Sequence, residues 1–469
     1  MRTKIGGVPV TCGLPFIGMT KEEMKLIHAP FLISFDKFMR LGRIFGHYHW
    51  NPFTIKRVSV AHPKVIREIL QSEYLTYDHG AEQFKIWYDV AGGLVFQENE
   101  PYWGSARNLF NPFFTLPWMK KMNPLLTEMM DNLMKSMERD MERTPTGFDC
   151  QILFLRMTFD TISRMTFGVD THTQMHEGSK YLAAFQYMMT DCMRRTLRQL
   201  VVPAFLNAPG AEYKRQTATL RSLCYDSIDE MESGVYDPKK ADSILSVIWS
   251  GKKIPEWMNR EELATHLVTL MFAGHDTTSN LLTWMMYYLS QHQDYQERIR
   301  QEAYATFGKD GPISAEGLES QRFTNAFIKE TLRLKPSGPE LARRLNRDFE
   351  MDWTDEDGEN HHLELKKDTL ISYSIYGVQN HPLSYPDRTA EFIPDRFMVD
   401  PLGSATSVYA YIPFSYGPRR CLGERLALTE ARWLTRKYKV IPAEDWKCEV
   451  AAEGNMRARY GIGLRLVPL

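Results

Sequence analysis

The sequence predicts a mainly α-helical protein with a smaller β-rich region. Residues 119–250 set Met, Leu and Phe at three- and four-residue spacing among charges, the pattern of amphipathic helices. From Asn259 an apolar pattern runs through Leu263, Leu267, Leu270, Met271, Leu281, Leu282, Met285 and Met286 to about Ser290. That is roughly 30 residues, or about 45 Å of helix. Near the N-terminus, Phe53–Val60 carries β-branched residues at alternating positions, which reads as a strand. At 469 residues the chain exceeds the size at which single cores usually split. No composition shift marks a linker and no repeat appears, so one domain over 1–469 is expected.

Hydrophobic residues make up 43% and charged residues 25%, with a net charge of −1. That balance suits a globular protein and argues against nucleic acid or an acidic lipid surface as the main partner. The six cysteines (Cys12, Cys150, Cys192, Cys224, Cys421 and Cys448) are scattered, with no C-x-x-C pair. This spacing predicts a reducing compartment and neither a disulfide framework nor a zinc site. No run of 18 apolar residues exists, so no transmembrane helix is expected, and Met1-Arg2-Thr3-Lys4 opens no signal peptide.

In chain order, a helix is expected near Ser34–Leu41, and His62-Pro63 ends the first strand and starts a helix. A long aromatic connection, Tyr74 to Glu100, holds Phe84, Trp87, Tyr88, Leu94, Val95 and Phe96. Trp103 and Arg107, at i and i+4, share a helical face. Val201–Leu206 reads as an apolar loop between two helices. Asn259 and Glu262 form a capping box for the long helix. Mid-helix lies a polar knot, Ala273-Gly274-His275-Asp276-Thr277-Thr278. A glycine there costs about 1 kcal/mol against alanine, and a buried carboxylate costs more unless hydrogen-bonded. Thr277 can bond back to a carbonyl and open the helix locally. Glu330 and Arg333 make an i, i+3 ion pair. Asp352–Asn360 reads as an acidic hairpin turn, Leu370–Ile375 as a strand and Asn455–Gly461 as a hairpin tip.

The segment that organises the rest is Phe414-Ser-Tyr-Gly417-Pro-Arg419-Arg420-Cys421-Leu-Gly423. One cysteine sits between two glycines, beside basic residues, just before an apolar-periodic helix (Leu426, Ala427, Leu428, Ala431, Trp433, Leu434). Backbone donors and the positive end of a helix dipole favour thiolate over thiol there. A thiolate in that position is an anionic metal ligand. Glycines 417 and 423 allow tight turns and close approach to a flat ligand.

This segment resembles the haem-binding loop of the cytochromes P-450, matching Phe-x-x-Gly-x-Arg-x-Cys-x-Gly at every fixed position. The resemblance extends over essentially the whole chain. It implies a helical prism enclosing haem b, with Cys421 as the iron ligand and Phe414, Gly417, Arg419 and Gly423 around it. Trp103, Arg107 and Arg343 fall on haem-propionate positions; Arg344 is adjacent and leaves the last assignment open by one residue. Ala273 and Gly274 fall where oxygen and substrate meet the iron, with Asp276 and Thr277 on the acid–alcohol pair. Glu330, Arg333 and Arg396 fall on a buried network that fixes the cysteine loop. The candidate substrate pocket (Phe84, Trp87, Phe96, Phe205, Leu270, Ala273, Leu341, Met456) is apolar.

The resemblance therefore implies a monooxygenase acting with O2 on a hydrophobic small molecule such as a fatty acid, terpenoid or steroid. Eukaryotic-type and fatty-acid-hydroxylating members are most similar around the two motifs. Electrons would come from a separate NADPH-dependent reductase or a ferredoxin, docking on Lys120, Lys121, Arg420, Arg436 and Lys437. The protein would be cytoplasmic, or on the cytosolic face of the endoplasmic reticulum if an anchor has been removed, and membrane association stays open. Two rival readings use the same thiolate: an isomerase or dehydratase that needs no reductase, and a non-catalytic haem-binding protein.

Overall fold

The chain packs into two units, each with its own apolar core. A computed structural model describes residues 4–5, 8–12, 35–37, 39, 43–48, 57–72, 77–78, 81–96, 102–176, 178–198, 206–234, 242–251, 254–354, 358–432, 438–453 and 455–468. One unit combines Met1–Gly80, Arg322–Cys421 and Glu449–Arg459; the other combines Ala81–Gln321, Leu422–Cys448 and Tyr460–Leu469.

The first unit is built on a seven-stranded mixed sheet. Its strands run Lys4–Ile5, Val8–Cys12, Ile44–Tyr48, Arg57–Val60, Leu370–Ser374, Glu340–Leu345 and Tyr77–Asp78 across the sheet. The expected strand at 53–60 is present where it is described, as Arg57–Val60, its residues 53–56 lying outside the described residues, and the one at 370–375 runs Leu370–Ser374. Arg57–Val60 pairs in parallel with Leu370–Ser374, which pairs antiparallel with Glu340–Leu345. Val58, Val60, Leu345, Ile371 and Tyr373 turn inward to a core closed by Ile66, Ile69, Leu70 and Ile412. Pro63 takes the first turn of helix Pro63–Arg67, where its missing N–H is not needed. The acidic turn is the tip of a hairpin between Phe349–Thr354 and Asn360–Leu365. Val450–Glu453 pairs antiparallel with Asn455–Ala458, so Asn455–Ala458 is a strand and not the expected tip. Antiparallel pairing of Met456 with Ala452 is what draws the segment into the ladder.

The second unit holds most of the helices. Its spine is the 32-residue helix Arg260–Gln291, started by the expected capping box. Asn259 Oδ1 accepts from the backbone N–H groups of Glu261 and Glu262 at 2.9 Å, and Glu262 Oε2 accepts from Asn259 N at 2.8 Å. Helices Leu116–Arg143, Cys150–Phe167, Lys180–Arg198 and Ala211–Glu232 surround it, as the 119–250 pattern predicts. Gly274 lets Cys150–Phe167 approach closely, since a Cβ there would meet Ile162 Cδ1 at 3.1 Å. The expected connection at 74–100 contains a helix, Ala81–Ala91. Ile86, Trp87, Val90 and Ala91 of this helix are buried in the apolar core of the second unit. No helix among the described residues is long and apolar enough to cross a membrane.

Candidate active site

The first unit positions the cysteine loop. Glu330 and Arg333, on helix Arg322–Leu334, are fully buried. Burying this pair is affordable only because its valences are filled. Arg333 donates from Nε to Glu330 Oε2 at 2.7 Å and from Nη2 to Oε1 at 2.9 Å. Glu330 Oε1 also accepts from Arg396 Nε at 3.2 Å and from the backbone N–H of Ile393 at 2.9 Å. The remaining guanidinium protons reach backbone carbonyls: Arg333 to Gln379 and Glu391, Arg396 to Asp387 and Arg388. The three predicted network residues are thus brought together.

Gln379 carries this rigidity to the loop. Its Nε2 donates to the carbonyls of Leu332 and Arg333, and its Oε1 accepts from Ile412 N at 3.0 Å. Tyr411 adds a bond from its hydroxyl to Lys329 O. Neither residue was singled out from sequence; the one available signal is a polar Gln379-Asn380-His381 run directly after an apolar strand and helix turn.

Beyond Ile412 the chain turns tightly. Ser415 N donates to Ile412 O, Arg420 N to Gly417 O, and Cys421 N to Phe414 O at 2.9 Å. Gly417 adopts φ +75°, and a Cβ there would fall on the carbonyl oxygen of Leu70. Only glycine fits. Phe414 and Arg419 are half-buried in the loop. Gly423 caps helix Glu424–Ala431 but has open space around it, so its glycine is not required sterically.

Arg343 is buried on the strand face that Tyr373 shares, its guanidinium carbon 5.8 Å from the Tyr373 ring. The Tyr373 hydroxyl lies 3.2 Å from Ser415 Oγ in the cysteine loop. Strand alternation turns Arg344 to the opposite face. Leu341 packs against the core of this unit and Met456 is completely buried in it.

The second unit positions the polar knot. The long helix does not open at 273–278, contrary to expectation: Thr277 Oγ1 donates to Ala273 O at 2.7 Å, yet the helical ladder continues through it. This back-bond satisfies the hydroxyl without displacing a backbone bond. Phe272, Ala273, Gly274, Asp276 and Thr277 form a half-buried stripe on a helix otherwise almost wholly buried. Leu270, one turn earlier, is buried. Trp87 stands 5.9 Å from Phe272 and 6.2 Å from Phe96, ring centre to ring centre. An aromatic wall therefore adjoins the stripe. Phe84 has its side chain outside the described residues, and Phe205 lies outside them altogether, as does most of the Val201–Leu206 loop.

His275 turns away from the stripe. It lies edge-on to Phe159 at 5.4 Å and Phe185 at 5.0 Å, and neither ring nitrogen has a hydrogen-bond partner among the described residues. Burial pushes its pKa down to about 4, the Asp276 carboxylate partly offsetting this. Its carbonyl accepts from Thr158 Oγ1 at 2.9 Å, bonding the long helix to Cys150–Phe167. Trp103 is buried and Arg107 half-buried on the same helical stretch, Trp103 directly preceding helix Gly104–Phe110.

Haem needs one thiolate ligand and cations for its propionates. Of the described cysteines, Cys150, Cys192 and Cys224 are buried, and burial pushes the thiols of Cys192 and Cys224 up to about 11 and 12. They are poor ligands. Cys421 and Cys448 are exposed, and of the two Cys421 lies in the tight loop beside Arg419 and Arg420, with Arg343 buried in the same unit. Within that unit, an accessible thiol and a buried guanidinium fit the group's iron and a propionate; Trp103 and Arg107 belong to the other unit. The expected docking patch fares differently. Lys120 pairs with Glu316 at 2.6 Å and Lys121 with Asp242 at 2.7 Å, while Arg436 and Lys437 lie outside the described residues.

A family model described as Cytochrome P450 matches residues 15–437. Cytochrome P450 72A13 of Arabidopsis thaliana is 29% identical over 394 residues, covering 81% of this chain and 72% of its own. Cytochrome P450 4F2 of Homo sapiens is 26% identical over 442 residues, covering 88% and 81%. The crystal structure of the cytochrome P450DA heme domain superposes with a TM-score of 0.79 at 20% identity, covering 95% of this chain and 94% of that one, and shows the fold.

Proposed function

The chain belongs to the cytochrome P450 family, and from that premise we propose that it hydroxylates or epoxidises a hydrophobic small molecule, with electrons delivered by a separate reductase protein. Haem is its cofactor and monooxygenation its reaction class. The matched region runs through both units, which supports reading 1–469 as one catalytic domain. The observation that carries the reading is the stripe Phe272–Thr277 with the aromatic wall of Trp87 and Phe96 beside it. Apolar lining next to a few convergent polar groups is the composition of a small-molecule site.

Haem bound through a cysteine thiolate supplies oxygen activation. Cys421 would hold its iron, and Trp103, Arg107 and Arg343 its propionates. Glu330, Arg333 and Arg396 hold the loop through Gln379, so the sulfur stays where the backbone puts it. Trp87, Phe96, Leu270 and Ala273 would orient the substrate and exclude water. Asp276 and Thr277 deliver protons at Thr277 Oγ1, whose hydroxyl rests on the carbonyl of Ala273. Fatty acids, terpenoids and steroids are the classes such an apolar lining suits.

The test is Thr277→Ala, assayed with reductase and NADPH on any substrate that shifts the haem absorption band. NADPH oxidation should persist while product falls about 100- to 10,000-fold, the range typical of a lost proton-transfer group. Product formed from a peroxide without reductase, and unchanged in the variant, would overturn the reading in favour of an isomerase.

A further inference from the structure

We propose that Arg221 is a positioning residue for the aromatic wall: by clasping Asp89 it fixes helix Ala81–Ala91, and with it Trp87, against the long helix. The inference rests on the substrate site described above. Arg221 projects from helix Ala211–Glu232 with only 10% of its side chain exposed. Its single guanidinium joins three elements. Nη2 donates to Asp89 Oδ1 at 2.9 Å and to Thr265 Oγ1 at 3.2 Å, and Nη1 donates to Glu261 Oε1 at 2.8 Å. Asp89 belongs to the wall helix; Glu261 and Thr265 belong to the long helix.

The rest of the wall helix shows why this clasp matters. Just past its end, Gly93 N donates to Thr269 Oγ1 at 3.0 Å, and a Cβ on Gly93 would meet His266 Cα at 2.8 Å. That end is docked on the long helix. Earlier, the carbonyl of Ile86 accepts from Arg195 Nη2 at 3.1 Å, and Trp87 Nε1 donates to Thr196 Oγ1 at 2.9 Å. Those bonds tie Trp87 to helix Lys180–Arg198. Asp89 lies between the two attachments, two residues from Trp87. Without the Arg221 bond, the middle of the helix loses its charge-assisted tie and keeps, among the described residues, the neutral Tyr88–Thr265 hydrogen bond and the Trp87–Phe272 ring contact to the long helix, so Trp87 follows Lys180–Arg198 more freely. A charge-assisted bond from a mostly buried guanidinium is stiff, because breaking it leaves a buried N–H without its acceptor.

Asp89→Asn, Arg221→Met, Arg221→Lys and Glu261→Gln separate the roles. Asp89→Asn and Arg221→Met should raise amide hydrogen exchange across residues 85–96 by about tenfold, the worth of one charge-assisted bond. In turnover they should raise KM with little change in kcat and broaden the ratio of product regioisomers. Arg221→Lys should recover part of both effects. Glu261→Gln should do neither, since Glu261 is 63% exposed and does not touch the wall helix. Exchange reports on the clasp even in a protein that turns over nothing, so failure of the substrate reading leaves a distinct signature. Unchanged exchange at 85–96 in Asp89→Asn, or an equal effect of Glu261→Gln, would overturn the inference.

Discussion

Two regions bury ionisable groups in opposite ways. Around the cysteine loop, Glu330, Arg333 and Arg396 are buried with hydrogen bonds to one another, to Ile393 N and to four backbone carbonyls. In the helical unit, His275 and Glu430 are just as buried, but both His275 nitrogens and Glu430 Oε2 lack partners among the described residues. Burial pushes Glu430 up to about 8 and His275 down to about 4. Where a charge is saturated with partners it can stay charged and serve as a rigid anchor. Where it is not, the proton moves until the group is neutral. The network around Glu330 turns its buried polarity into geometry; His275 and Glu430 stay silent at neutral pH.

The largest break of this contrast is Glu330→Ala. It strands two buried guanidinium groups, which should cost about 3–5 kcal/mol. Thermal unfolding should fall sharply and the haem-loaded fraction with it, whereas a mild effect would mean that the cysteine loop stands without the network.

The silent pair gives pH slopes of opposite sign. His275 folded titrates near 4, below its unfolded value of 6.5, so the unfolded chain binds more protons between them. Stability therefore falls as pH drops from 6.5 towards 4. Glu430 folded titrates near 8, above its unfolded value of 4.5, so the native chain holds the extra proton. Stability therefore falls as pH rises from 4.5 through 8. The His275 window spans on the order of 3 kcal/mol and the Glu430 window on the order of 5 kcal/mol. Glu430→Gln should raise denaturant stability at pH 8 and leave it unchanged at pH 4. His275→Phe should flatten the acid limb alone. A variant that shifts both limbs equally would show that the two groups are not independent.

The smallest effect sharpens the first region. Gln379→Leu leaves Ile412 N without its acceptor, a loss of about 1–3 kcal/mol. The Glu330 cluster should survive it while the thiolate-type absorption of the reduced, carbon-monoxide-bound protein weakens on mild heating.

Much of this was legible in the sequence because it is local. The capping box of Asn259 and Glu262, the Glu330–Arg333 pair and the turn that carries Cys421 all depend on residues within a few positions of each other. What escaped depends on distant partners. Helix Ala81–Ala91 is held by Arg195 and Arg221, more than a hundred residues on. Lys120 and Lys121 read as a free basic patch until Glu316 and Asp242 fold against them. Gln379 has no local partner at all; its meaning lies in Ile412 and Arg333. Thr277 was legible as a hydroxyl that bonds back, but the uninterrupted helix around it was not.

Position 417 carries a last consequence. With its missing methyl aimed at the oxygen of Leu70, the backbone of one segment rests directly on that of another. Alanine, the mildest replacement available, would have to pry two main chains apart. A saturation library across this loop should therefore return a single viable letter at that column, whatever breadth its neighbours tolerate.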